Sequence, residues 1–154
     1  MGIKMKICSW NINSIRLRES HVLRLLRDEC PDVICFQECK SLVENIPLKS
    51  FSDLGYSHMA ARGQKSYNGV ATFSKTPISK EFSVDFADLG QARHIAVRLE
   101  NGFTVHNFYV PAGGDEPNME TNLKFAQKIN FLNAMKDWFI SNTPKKAILV
   151  GDLN

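Results

Sequence analysis

No apolar stretch in this chain comes near the ~18 residues that a membrane-spanning helix requires, so none is expected. The amino-terminal Met1-Gly2-Ile3-Lys4-Met5-Lys6 is basic, but the run that follows, Ile7-Cys8-Ser9-Trp10, is too short and too polar for the core of a secretory leader. Cysteine is scarce, and Cys8, Cys30, Cys35 and Cys39 make no Cys-x-x-Cys pair. Three of them sit in or beside short apolar runs, where a thiol packs as a small hydrophobe, and the expectation is a reduced, cytoplasmic protein. A zinc site on Cys30, Cys35 and Cys39 is disfavoured, because strand alternation leaves Cys35 and Cys39 flanking a chain reversal with no second close pair. A G-x-x-x-x-G-K-S/T loop and a G-x-S-x-G elbow are both missing, and nucleoside-triphosphatase and serine-hydrolase chemistry drop out with them. Repeats, low-complexity tracts and linkers are missing too, so residues 1–154 are expected to form one domain.

What is present is the balance of an ordinary globular chain, 44% hydrophobic and 23% charged. The net charge of +3 is small but unevenly spread. Leu54 to Lys80 carries Arg62, Lys65, Lys75 and Lys80 with no Asp or Glu, whereas Glu81 to Glu120 is net acidic. A basic stretch that includes Tyr67 and Asn68 suits contact with a phosphate backbone. Charge alone favours a solvated loop.

Hydrophobic periodicity orders the elements as α/β. Met5–Trp10 alternates as a strand, Leu17–Glu29 has helical spacing and stops before Pro31, and Val33–Phe36 is a buried strand. A short helix at Pro47–Leu54 precedes strands at Tyr56–Arg62, Gly69–Lys75, Ile78–Val84, His94–Glu100 and Phe103–Val110. The longest helix is predicted over Met119–Ile140, with Phe125, Ile129, Leu132, Met135 and Phe139 as its core stripe, and a last strand starts at Ala147. Strand, helix, strand occurs twice, and such units pair their strands in parallel, with both carboxyl ends at one edge where α/β proteins tend to bind ligands.

Polar residues collect at those ends. Glu38 comes just after the apolar run Val33–Phe36 and Gln37. Taken alone it reads better as a solvated strand-end glutamate, but the placement also suits a hard divalent cation held by one or two carboxylates and several waters. In Gly151-Asp152-Leu153-Asn154, alternation sends Asp152 and Asn154 to one side, where an Asp can orient a water and an Asn amide can stabilise a developing anion, unless Asp152 simply forms a turn after the strand. Tyr109 shares a strand face with Asn107 and is either a phenol offered to a phosphate oxygen or a half-buried strand tyrosine. Asn11 and Asn13 either support Glu38 or make a turn. His21, His58, His94 and His106 have no ligand-like pairing and are expected to be structural or surface residues.

Ser-Trp-Asn-Ile-Asn at 9–13, Phe-Gln-Glu-Cys-Lys at 36–40, Tyr-Asn-Gly-Val-Ala at 67–71, Asn-Phe-Tyr-Val-Pro-Ala-Gly at 107–113 and Gly-Asp-Leu-Asn at 151–154 together resemble the ordered motifs of the exonuclease III family of DNA-repair nucleases, within the endonuclease/exonuclease/phosphatase superfamily. The resemblance implies a Mg²⁺-dependent phosphodiesterase, with Mn²⁺ as a substitute ion, acting on double-stranded DNA at abasic sites and blocked 3′ ends. It implies that Glu38 binds the metal and Asn11 supports it, that Tyr109 contacts the scissile phosphate, that Asp152 positions or activates water and that Asn154 helps hold the phosphate. Lys40 and Arg93 fit DNA-facing positions of the family. Cys39 replaces a threonine frequent there.

The implied fold is a four-layer α/β sandwich, two facing sheets with outer helices, of which this sequence is the N-terminal half. Family members continue beyond Gly-Asp-Leu-Asn through another Asp/Asn pair to a terminal Ser-Asp-His. The expectation is therefore an incomplete domain that leaves the inner face of its sheet to be covered by the C-terminal half or another chain. Alternatives are a phosphatase of the superfamily acting on a lipid or inositol phosphate, and a fragment without catalysis.

Overall fold

Two βαβ units frame the chain, as the hydrophobic periods require. The computed structural model describes residues 4–154; Met1, Gly2 and Ile3 of the basic stretch considered above lie outside the described residues. Strand β1 (Ile7–Asn11) leads through helix α1 (Glu19–Glu29) to β2 (Val33–Gln37), which pairs with β1 in parallel. The helix ends where Cys30 turns left-handed and its N–H closes on the Leu26 carbonyl, one residue before Pro31. A short helix α2 (Leu48–Ser52) and the antiparallel strands β3 (His58–Arg62) and β4 (Val70–Ser74) complete a sheet of order β1-β2-β4-β3.

The second sheet has the order β5-β6-β7-β8. Strands β5 (Ile78–Phe82), β6 (His94–Leu99) and β7 (Thr104–Tyr109) are antiparallel, and β7 crosses through helix α3 (Leu123–Asn142) to the parallel β8 (Ala147–Asp152). Both parallel pairings agree with the sequence expectation. So do the positions of every strand, with ends shifted by one or two residues.

These are two mixed sheets flanked by helices. Val22 and Leu26 of α1 and Phe51 of α2 pack with Ile34, Phe36 and Phe73 of the first sheet. Between the sheets, Val33, Cys35, Ala60 and Val70 meet Ile95, Val97, Leu99 and Val105. On the far side of the second sheet, Phe108 packs with Phe131 of α3 and with Phe86.

Two expectations need correction. The inner face of the first sheet is not left bare: the chain's own second sheet covers it, because β6 and β7 alternate and turn Ile95, Val97, Leu99 and Val105 inward. Apolar surface remains instead at the β8 edge, where Leu149 is 46% exposed and lines an open groove with Leu132, Met135, Phe139 and Ile140. The long helix also starts later than its periodicity suggests. Asn122 caps it by accepting the Lys124 and Phe125 N–H groups, and the deepest residue of its buried face is Phe131 rather than a member of the predicted stripe.

Candidate active site

The carboxyl ends of β1, β2, β7 and β8 converge at one pole, and local backbone bonding explains how. Beyond β2 the chain is held from two sides: Ser14 N–H donates to the Glu38 carbonyl at 2.8 Å, Cys39 N–H to Gly69 at 3.0 Å and Lys40 N–H to Asn68 at 2.9 Å. Glu38 and Lys40 both have left-handed backbone, with φ of 53° and 50°. Such a conformation costs a non-glycine residue roughly 1–2 kcal/mol, so these bonds must over-determine it. In β8, Gly151 has φ of 144°, and a Cβ there would lie 2.1 Å from the Phe108 carbonyl oxygen. Only glycine lets β8 approach β7 closely enough to set Asp152 opposite Tyr109 in register.

Four predicted side chains come together. Asn11 Nδ2 donates to Glu38 Oε1 at 3.0 Å and to Asp152 Oδ2 at 2.6 Å, so one amide joins the two carboxylates. Tyr109 donates its phenol proton to Glu38 Oε1 at 2.7 Å. Lys40 Nζ lies 3.1 Å from Glu38 Oε2 and donates to Asn13 Oδ1 at 2.6 Å. Burial pulls the Glu38 carboxyl upward, but hydrogen bonds from Asn11, Tyr109 and Lys40, with the lysine charge, outweigh it and hold the group below the usual glutamate value. It is an anion at neutral pH. Burial, and then the Glu38 hydrogen bond, push the Tyr109 phenol up to about 12, so it remains a donor.

Arg93 stands behind Tyr109. Its guanidinium lies 4.8 Å from the ring centroid, with Nε on Gln91 Oε1 at 2.5 Å and Nη1 on the Tyr109 carbonyl at 3.2 Å. Asn154 donates Nδ2 to the Val110 carbonyl at 2.8 Å, and its backbone N–H reaches Asp152 Oδ1 at 2.9 Å.

The basic loop is beside this cluster rather than in it. Arg62 and Lys65 are exposed and Tyr67 is half-exposed, whereas Asn68 is buried and donates to Gln64 Oε1 at 3.0 Å, closing the loop upon itself. Lys65 lines an open recess of about 320 Å³ with Lys40, Ser66 and Arg16. Sequence reasoning passed over Arg16; its signal was a cation five residues beyond Asn11, past a turn that has to fold back on Glu38.

Among the described residues no group of three or more His, Cys, Asp and Glu side chains is placed to hold a metal ion. The donor set is Glu38 and Asp152 sharing the Asn11 amide. That fits a hard ion bound by one or two carboxylates with water completing its shell, and does not fit a four-ligand zinc site. All four cysteines are free thiols, and burial pushes Cys35 and Cys39 up to about 12, away from thiolate chemistry. His94 and His106 are buried on the opposite face of the second sheet from Tyr109.

Comparison with known proteins accords with this geometry. Residues 8–154 match the Endonuclease/Exonuclease/phosphatase family, and the chain belongs to it. It is 34% identical over 158 residues to exodeoxyribonuclease III of Haemophilus influenzae, an alignment covering 97% of this chain and 57% of the relative. To the exodeoxyribonuclease of Bacillus subtilis it is 30% identical over 156 residues, covering 97% and 58%. Among solved structures, the 3′ phosphatase NExo of Neisseria bound to a product DNA hairpin superposes with a TM-score of 0.83 at 30% identity, covering 96% of this chain and 57% of that one. An AP endonuclease from Archaeoglobus fulgidus gives 0.86 at 29%, covering 97% and 57%. The chain spans little more than half the length of these relatives.

Proposed function

We propose that this chain forms the amino-terminal part of a Mg²⁺-dependent DNA-repair phosphodiesterase, a four-layer α/β sandwich when complete. Its substrate is double-stranded DNA carrying abasic sites or blocked 3′ ends. One observation carries the reading: Asp152, Asn11, Glu38 and Tyr109, from the ends of four strands of two sheets, are joined by a chain of hydrogen bonds at a single pole. Glu38, ionised and supported by Asn11, is the ligand for Mg²⁺ or Mn²⁺. When bound, the ion supplies Lewis-acid neutralisation of charge on the phosphate.

Tyr109, protonated throughout the neutral range, donates to a phosphate oxygen, with Arg93 stacked behind its ring to fix its position. Asp152, held by Asn11, orients the attacking water and takes up its proton. Asn154 lies beside Asp152 and contributes an amide to the phosphate. Lys40, Arg62, Lys65 and Tyr67, joined by Arg16, face the DNA backbone, where cations supply affinity without sequence choice. Asn68 supports that loop from within.

Names of the aligned relatives support DNA over a lipid or inositol phosphate, and the cationic recess beside the site fits a polyanion. The test is cleavage of an abasic duplex by the protein extended to its relatives' length, with and without Mg²⁺. Glu38→Gln removes charge and almost no volume, and lowers the rate by at least a hundredfold at fixed Mg²⁺ while circular dichroism stays unchanged. Equal rates across a Mg²⁺ titration, or hydrolysis of an inositol phosphate in place of DNA, would remove this assignment.

A further inference from the structure

The candidate site is built across two separate sheets. Asn11 and Glu38 come from the first; Tyr109 and Asp152 come from the second. Most of what joins the sheets is apolar: Val33 and Val70 on one side, Val97 and Val105 on the other. Contact of this kind is non-directional and does not fix a lateral position to the few tenths of an ångström that a hydrogen bond senses.

Directly behind the site, one cluster of buried amides does fix it. Gln37 precedes Glu38, and Asn107 lies two residues before Tyr109 on the same strand face. Their side chains are 1% and 0% exposed. Gln37 Nε2 donates across the gap to Asn107 Oδ1 at 2.7 Å. Asn107 Nδ2 donates back across it to the Phe36 and Ala71 carbonyls, each at 3.1 Å, with Thr72 Oγ1 at 3.4 Å. Gln37 is itself anchored on Ser9 Oγ and on the Cys35 carbonyl, both at 3.2 Å. Asn107 of the second sheet thereby bonds two strands of the first, β2 and β4, and Gln37 bonds back to it. A slip between the sheets strands several of these groups without water, at roughly 1–3 kcal/mol each.

We propose that Gln37 and Asn107 form an inter-sheet clamp that positions Glu38 against Tyr109 and Asp152 against Asn11. They are positioning residues: neither meets substrate nor ion. The clamp itself follows from geometry alone; its bearing on metal affinity rests on the function proposed above.

The test uses the 154-residue chain. A double-mutant cycle of Glu38→Ala and Tyr109→Phe, followed by urea unfolding without metal, measures whether the two side chains still meet. In the native background their charge-assisted bond couples the unfolding equilibrium by about tenfold or more. In Asn107→Leu, which keeps the branching and number of heavy atoms and removes every clamp bond, the coupling falls within a factor of about two. Gln37→Met removes a single crossing bond and serves as the second background should Asn107→Leu not fold. Leu26→Ala, in α1 at the far end of the first sheet, is the control, losing comparable stability but retaining the coupling. Mn²⁺ affinity by electron paramagnetic resonance follows the same pattern, dropping about tenfold in the clamp variants and holding in the control. Full coupling between Glu38 and Tyr109 in the clamp variants, or its loss in Leu26→Ala as well, overturns the proposal. Intact coupling, with no Mn²⁺ bound either by this chain or by the protein extended to its relatives' length, sinks the metal assignment and leaves the clamp standing.

Discussion

His94 and His106 make the acid stability of this protein calculable. The two rings stack with centroids 5.4 Å apart, inside a cage made by Phe82, Phe86, Phe108, Trp138 and Phe139. Val84 N–H donates to His94 Nδ1 at 3.0 Å, which puts the His94 proton on Nε2, from where it is donated to His106 Nδ1 at 3.1 Å. His106 must then carry its own proton on Nε2, a buried atom with no partner. Charging either ring would add an N–H with no acceptor, and burial, helped at His94 by His106 and by the Arg62 charge, lowers the pair to about 3 and about 4.

The sign follows from these depressed values. The unfolded chain binds both protons once pH drops below about 6.5 while the folded chain does not, so stability is full above that pH and is lost on acidification toward 4. Between pH 7 and pH 5 each histidine removes about 2 kcal/mol, about 4 kcal/mol for the pair, which in a domain of this size lowers Tm by roughly 8–15 °C. The window sits above the range in which Glu38 takes up its proton, so that carboxylate does not blur it. The assay is urea or thermal unfolding at half-unit steps from pH 7.5 to 4.5. His106→Phe is less stable at neutral pH, but its loss between pH 7 and 5 is about half that of the native chain. Identical pH profiles for the two proteins would refute the reasoning.

Three further outcomes are expected. Changing Arg62 and Lys65 together to Ala weakens duplex binding and lowers the slope of log affinity against log salt by about 2, as measured by fluorescence anisotropy; unchanged affinity and slope would make that loop a solvated surface. Gly151→Ala drives a methyl into the Phe108 carbonyl and costs about 3 kcal/mol or more in urea unfolding, whereas Gly90→Ala, which has open space but positive φ, costs about 1 kcal/mol. Residues 1–154 alone produce no Mg²⁺-dependent nicking of an abasic duplex above an Asp152→Ala control, since the chain covers 57% of its exonuclease III relative and the resemblance implies an essential histidine beyond the motifs present; robust nicking by this chain would refute that expectation.

Local signals explain what the sequence made legible. Period-two and period-3.6 patterns located the strands and α1, and the two crossovers put Asn11, Glu38, Tyr109 and Asp152 at one pole, where the structure finds them. What escaped was set by distance. Whether β5 to β8 extended the first sheet or covered it depends on pairing between remote strands, and the alternation of Ile95 and Val97 fits either arrangement. The start of α3 was decided by the competition of Asn118 and Asn122 for free N–H groups, a contest that apolar spacing does not record. Arg93, which the resemblance sets in a DNA-facing region, also stacks on the Tyr109 ring and bonds the Tyr109 carbonyl, a contact sixteen residues away that no local pattern records. Asn68, read as part of a basic stretch suited to a phosphate backbone, is buried and tied to Gln64 within its own loop, which composition does not record.

Strand β7 has consequences for how this protein can vary. It lies within the second sheet between β6 and β8, and its successive side chains serve different ends: His106 and Phe108 face α3, while Asn107 and Tyr109 face the other sheet. Insertion or deletion of a single residue would exchange the two sets, delivering an imidazole to the amide cluster and a phenol to the aromatic cage. No partial version of that change is tolerable, so length variation among descendants of this chain should be barred from 104–109. It should accumulate in the exposed 114–117 segment, where added residues leave strand parity unchanged.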